Sequence, residues 1–140
     1  MQNTHNSKLR KVIIKVMTVE RAMNDFFDFF ENVKNIETGG ALKSIIKGED
    51  GCWLCETPIG KAKIKTQPYK ELGILDHIFI AGGIEWNVFV RIIPNEKGST
   101  TTWTFVKPYS LSDEQFEEQL KMFDVEISGW KNALEQMNNA

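Results

Sequence analysis

The stretch that decides the fold runs SDEQFEEQLKMFDVEISGWKNALEQM, residues 112–137. Ser112 followed by Asp113 and Glu114 supplies a capping side chain and an acidic first turn, which suit the positive end of a helix dipole. Phe116, Leu120, Phe123, Ile127, Trp130, Leu134 and Met137 then recur at intervals of 4, 3, 4, 3, 4 and 3, so one face is apolar from end to end. The pattern predicts a long helix from about Ser112 to Gln136. A coiled-coil seam has the same spacing but favours aliphatic knobs, whereas three of these seven positions are aromatic. A helix laid on a concave sheet fits better. Gly129, which costs a helix about 1 kcal/mol, sits beside Trp130 and points to a close contact or a bend there.

Upstream, residues 41–107 read as about six short strands divided by turn signals: GED at 48–50, the P-I-G of 58–60, a break near Tyr69–Gly73, Gly82-Gly83, and PNEKG at 94–98. Hairpin-length spacing favours an antiparallel meander over parallel crossovers. Lys61, Lys63 and Lys65 alternate with Ala62, Ile64 and Thr66, which gives one basic, solvated face and one modest inner face. Cys52 and Cys55 fall three apart in a strand, so their side chains face opposite sides, about 10 Å apart and beyond disulfide reach. Two small half-buried thiols in a reducing compartment is the plainer reading.

Nearer the start, KVIIKVMT alternates, and the expectation is that Val12, Ile14 and Val16 face inward while Lys11, Lys15 and Met17 face out. Thr18 is then placed to cap a helix from Val19 to Glu31, whose apolar face is Val19, Met23, Phe26, Phe27 and Phe30. The segment NVKNIETGG loosens that pattern and ends in Gly39 and Gly40, which predicts a second short helix or a gate loop. A polar tail over residues 1–9 and one domain over residues 10–138 complete the expected organisation.

With 140 residues, the chain can bury roughly 70% of its unfolded surface in a single core. Seventeen basic and nineteen acidic residues leave a formal charge of -2, which speaks against nucleic acid as a partner. MQNTHNSKLRK lacks an apolar signal region, and no run approaches the ~20 apolar residues of a membrane span; a cytoplasmic protein is expected. No Ser or Cys lies in a nucleophile elbow, no Gly-rich loop opens a helix to cradle a nucleotide, and no second folded His completes a metal site, so neither cofactor nor metal is expected.

A strand, a helix pair, a six-strand meander and a long terminal helix form the order of the helix-grip fold. The chain resembles the START-like SRPBCC superfamily over about Lys11–Glu135, in particular its bacterial polyketide cyclase/dehydrase-like and heat-shock ATPase activator-like small proteins. The segments that carry the resemblance are ETPIG at 56–60, GILDH at 73–77, VRIIPNEKGS at 90–99 and SDEQF at 112–116. It implies an α+β helix-grip domain, with about seven curved antiparallel strands around the terminal helix and a hydrophobic cavity between them. One departure is that such proteins often carry a Trp after the second short helix, where this chain has IETGG.

The expected wall of that cavity is His77, Phe79, Arg91, Trp103, Phe105, Phe123, Ile127 and Trp130. Strand alternation sets His77 with Leu75 and Phe79; an inward His is either a satisfied core group or a ligand contact and acid–base candidate. Arg91 shares a face with Glu85, Asn87 and Phe89, where it would hold a ligand's carboxylate or phenolate. The opposite face, Trp86, Val88, Val90 and Ile92, is the more apolar alternative and excludes Arg91. Glu56, like Arg91, is otherwise read as a cross-strand or solvent-facing charge. Trp103 and Phe105 share a face with Thr101, expected to meet Phe123 and Trp130. The leading expectation is binding of a small apolar or amphipathic molecule. The alternatives are a cyclase/dehydrase-like enzyme in the same pocket and a chaperone-partner module, with monomer and homodimer both open.

Overall fold

The structure, a computed structural model, describes residues 9–137. All but the last residue of the expected tail, residues 1–8, lies outside them, and Leu9 is exposed. The order is β1 (Val12–Val19), α1 (Met23–Glu31), a 3₁₀ helix (Val33–Gly39), β2 (Lys43–Lys47), β3 (Cys52–Thr57), β4 (Gly60–Tyr69), β5 (Ile74–Ala81), β6 (Ile84–Asn95), β7 (Gly98–Val106) and α2 (Asp113–Glu135). The strands form one antiparallel sheet in the order β1-β7-β6-β5-β4-β3-β2. This is the seven-stranded helix-grip arrangement, α+β, with α2 over the concave face.

Every turn read from the sequence falls at a junction between successive strands. The β4 alternation also holds: Ala62 and Ile64 are buried while Lys61, Lys63 and Lys65 are exposed. Ser112 caps α2 in a full capping box, accepting from the Gln115 backbone N–H while the Gln115 side chain accepts from the Ser112 backbone N–H, a motif whose Ser contributes about 1 kcal/mol. Phe116 and Leu134 are fully buried at its two ends.

Two expectations near the N-terminus are corrected. Val12, Ile14 and Val16 face solvent at 48%, 57% and 57% exposure, while Met17 and Val19 are buried. The cause is register: Ile13 pairs with Phe105, Lys15 with Trp103 and Met17 with Thr101, so the odd positions share the inward face of β7. Lys15 is tolerated there because it reaches Asp124 of α2 at 2.9 Å. Nor does Thr18 cap a helix. β1 continues through Val19, Thr18 Oγ1 bonds Thr100 Oγ1 across the strands at 2.9 Å, and α1 begins only at Met23 without a side-chain cap.

Charged side chains clamp α2 along the β1 side of the sheet. Lys11 pairs with Glu117, Lys15 with Asp124, and Lys107 with Asp113 at 2.8 Å. Gly129 lies against the 3₁₀ helix, since a Cβ there would stand 2.5 Å from the Thr38 carbonyl oxygen. The helix glycine therefore marks a close contact. Gly39 is the complementary half: a Cβ on it would lie 2.7 Å from Trp130 Nε1. Trp130 Nε1–H donates to the Ile36 carbonyl at 3.0 Å. Thus the IETGG segment, which has no Trp of its own, packs against one supplied by α2.

Candidate functional site

Between the concave face and α2 lies a cavity of about 380 Å³. Its sheet side is made by the inward positions of four strands: Ile64 and Thr66 of β4; Leu75, His77 and Phe79 of β5; Trp86, Val88 and Val90 of β6; Trp103 and Phe105 of β7. Gln119, Leu120, Phe123, Glu126 and Trp130 of α2 form the other side, and Phe26 and Phe30 of α1 close one end with Ile36. The wall reaches the surface at the β3–β4 hairpin, where Ile59 lines it while 79% exposed.

Aromatic rings brace this space. Phe123 stands edge-on to Phe105 at 4.8 Å, to Trp103 at 5.5 Å and to Trp130 at 5.3 Å between centroids. Trp86 stacks on Phe116 at 5.8 Å. Such offset and edge-to-face pairs hold a wall in place beyond what area burial alone supplies.

His77, Phe79, Trp103, Phe105, Phe123 and Trp130 all line the cavity. Ile127 does not, although it packs on the same hydrophobic core. Arg91 is displaced from the expected wall: β6 turns Trp86, Val88, Val90 and Ile92 inward and leaves Arg91 exposed on the other face. There its Nη1 donates to Asp76 Oδ1 at 2.6 Å, and the same carboxylate oxygen accepts the Val90 backbone N–H at 2.7 Å. The more apolar face wins because four large side chains gain burial, whereas an inward Arg91 would carry its charge out of water. Glu56 is exposed, as the solvent-facing reading has it.

Asp76 is adjacent in sequence to His77 but engaged on the opposite face, so it does not orient the imidazole. His77 Nδ1 instead lies 3.4 Å from the Leu75 carbonyl oxygen. Burial holds the imidazole below its ordinary 6.5, outweighing the upward pulls of the Leu75 carbonyl and the Asp76 charge. The ring is therefore neutral at pH 7 and can donate from one nitrogen and accept at the other.

Sequence reasoning missed Glu126. It lies between stripe positions 123 and 130 and reads as a solvated charge, yet it lines the cavity. Its place three residues after Phe123 and four before Trp130, on the same helix face, is the signal that could have found it. Burial pushes its carboxyl up to about 7. The Cys55 thiol is pushed up to about 11, first by burial and then by the Glu126 charge, so it is protonated and unreactive at neutral pH. Cys52 and Cys55 are both free.

The raised Glu126 pKa carries a stability consequence. Its protonated form is favoured by the folded state, so no penalty exists below the ordinary 4.5, and one accumulates as pH rises towards about 7. The full loss is on the order of 3 kcal/mol. Thermal unfolding followed from pH 4.5 to 8 should show the wild-type melting temperature falling over this window relative to Glu126→Gln. Parallel curves for the two proteins would refute the assignment.

Among the described residues, no group of His, Cys, Asp and Glu is placed to hold a metal ion, and no helix is long and apolar enough to cross a membrane. No protein-family model and no curated protein matches the sequence. Solved structures share its architecture. One is an uncharacterised protein from Bacillus thuringiensis, 9% identical, with a TM-score of 0.71 over 89% of this chain and 98% of that one. A conserved protein from Geobacillus kaustophilus is 10% identical, with a TM-score of 0.71 over 89% and 95%. Ara h 8.0201 is 10% identical, with a TM-score of 0.69 over 89% and 97%. At such identities the likeness is one of fold.

Proposed function

We propose that the protein reversibly binds a small apolar or amphipathic molecule in the cavity beneath α2, within a START-like domain acting in the cytoplasm. The observation that carries this reading is a cavity of about 380 Å³ that stays open although aromatic side chains surround it. That volume is in the range of small-molecule sites, and a mostly apolar wall with a few convergent polar groups is their usual composition. Here the polar groups are Thr66, His77, Gln119 and Glu126. The free thiols of Cys52 and Cys55 suit a reducing compartment.

The test uses the protein's own fluorophores, because Trp86, Trp103 and Trp130, three of its four tryptophans, line the cavity. Titration with fatty acids, aromatic polyketides and sterol-like probes should change tryptophan emission saturably for at least one class. Val88→Phe, which adds bulk to the wall, should weaken that binding about tenfold or more, equivalent to ~1.4 kcal/mol. Unchanged emission across the panel, together with no co-purifying molecule by mass spectrometry, would sink the reading.

A second reading is favoured by the neutral His77 on the cavity wall. An imidazole that titrates below 6.5 can act as a general base at pH 7 on a proton of an enclosed substrate, as a cyclase or dehydrase requires. It ranks second because Asp76, the adjacent carboxylate, is committed to Val90 and Arg91.

A further inference from the structure

Glu126 is a charged residue that the fold does not need. It lies on the cavity face of α2, and no hydrogen bond or ion pair among the described residues engages its carboxylate. Other acidic residues of the helix, Asp113, Glu117 and Asp124, are paired with lysines of the sheet side. A half-buried carboxylate without a protein partner on a mostly apolar wall is disfavoured, and a helix position facing an apolar space is normally filled by an apolar side chain.

The surroundings of Glu126 restrict what could satisfy it. No Lys or Arg lines the cavity among the described residues, and the one imidazole, His77, is held neutral. Protein cations therefore do not reach it. Besides Glu126, the titratable side chain lining this space is His77 of β5; the Cys55 thiol of β3 does not line it but is near enough to feel the Glu126 charge. On the helix itself Glu126 is flanked by Phe123 one turn before and Trp130 one turn after, whose rings lie 5.3 Å apart at 75°. An aromatic face beside a carboxylate forms a setting that attracts cations.

We propose that the cavity's ligand carries a basic nitrogen on an apolar body, bound as an ammonium against Glu126 beside the paired rings of Phe123 and Trp130. The proposal rests on the ligand-binding reading and specifies its chemical class. It disfavours fatty acids and other carboxylates, whose charge would meet that of Glu126 with no protein cation to offset it.

The experiment compares three probes with one ring system and different heads: 1-naphthylmethylamine, 1-naphthalenemethanol and 1-naphthoate. Each is titrated calorimetrically into the full chain at pH 8. The expected order is amine, then alcohol, then carboxylate, with the amine at least tenfold tighter than the alcohol. In Glu126→Gln the amine-to-alcohol ratio should fall to about one, because the amide keeps the shape and removes the charge. The wild-type order needs no variant, so it stands even if the substitution perturbs folding. Alcohol binding without an amine preference, or carboxylate binding as tight as the amine, overturns the proposal and leaves the cavity reading standing. Failure of all three probes, and of the wider panel, overturns both.

Discussion

Trp130→Ala should cost the fold about 4–5 kcal/mol, the sum of a buried large-to-small truncation and a lost hydrogen bond to a backbone carbonyl. Trp130 is 4% exposed and touches four parts of the molecule. Its ring meets Phe30 of α1 at 5.4 Å, Trp103 of β7 at 5.9 Å and Phe123 of its own helix at 5.3 Å. Its Nε1–H holds the Ile36 carbonyl, and its indole covers Gly39. Removal opens the cavity towards the 3₁₀ helix and leaves the Ile36 carbonyl without its donor. Trp130→Phe keeps a ring and loses the N–H, so its cost should be about 1–3 kcal/mol. Urea unfolding followed by circular dichroism, which does not depend on the deleted fluorophore, measures both. A Trp130→Ala loss below ~1 kcal/mol would show that the 3₁₀ helix is held by other contacts.

The second large effect has a sign that helix propensity alone gets wrong. In a free helix Gly129→Ala gains about 1 kcal/mol. In this protein the added methyl would lie 2.5 Å from Thr38 O, 3.0 Å from Gly39 Cα and 3.3 Å from Thr38 C. All three are backbone atoms, so no rotamer change relieves the overlap and the helices must separate. Overpacking of this kind costs about 1–3 kcal/mol, and rigid backbone neighbours place it at the upper end. A net destabilisation of about 2 kcal/mol is expected, with ligand binding weakened as α2 lifts. Ser128→Ala, one residue away and exposed, is the control and should be neutral or slightly stabilising. If Gly129→Ala behaves like Ser128→Ala, the close contact is not a constraint.

These two residues mark the boundary between what is local and what is not. The chain around Gly129 already shows a propensity defect beside an aromatic, and the structure supplies the reason in Thr38 and Gly39, about ninety positions earlier in the sequence. The strands and their turns were legible because each hairpin signal acts on its immediate neighbours, and α2 was legible because its stripe repeats over six intervals. The facing of β1 was not. Both of its faces carry apolar residues, so alternation is ambiguous, and only pairing with Phe105, Trp103 and Thr101 of β7 selects the inward one. Arg91 posed the same two-way choice on β6, and the outcome depended on which face of four strands jointly enclosed α2.

For the site, the sequence by itself determined the aromatic wall. Trp103, Phe105, Phe123 and Trp130 follow from periodicities of two and of three to four, which are set by backbone geometry. Only the tertiary structure decided the polar part. Whether His77, Arg91 or Glu126 faces the cavity depends on a single side chain's direction in an assembled sheet and helix, and hydrophobic patterning constrains apolar residues far more than isolated charges. A lone glutamate on an amphipathic helix looks the same in sequence whether water or a ligand is its partner; what distinguishes Glu126 is the concave sheet that α2 covers.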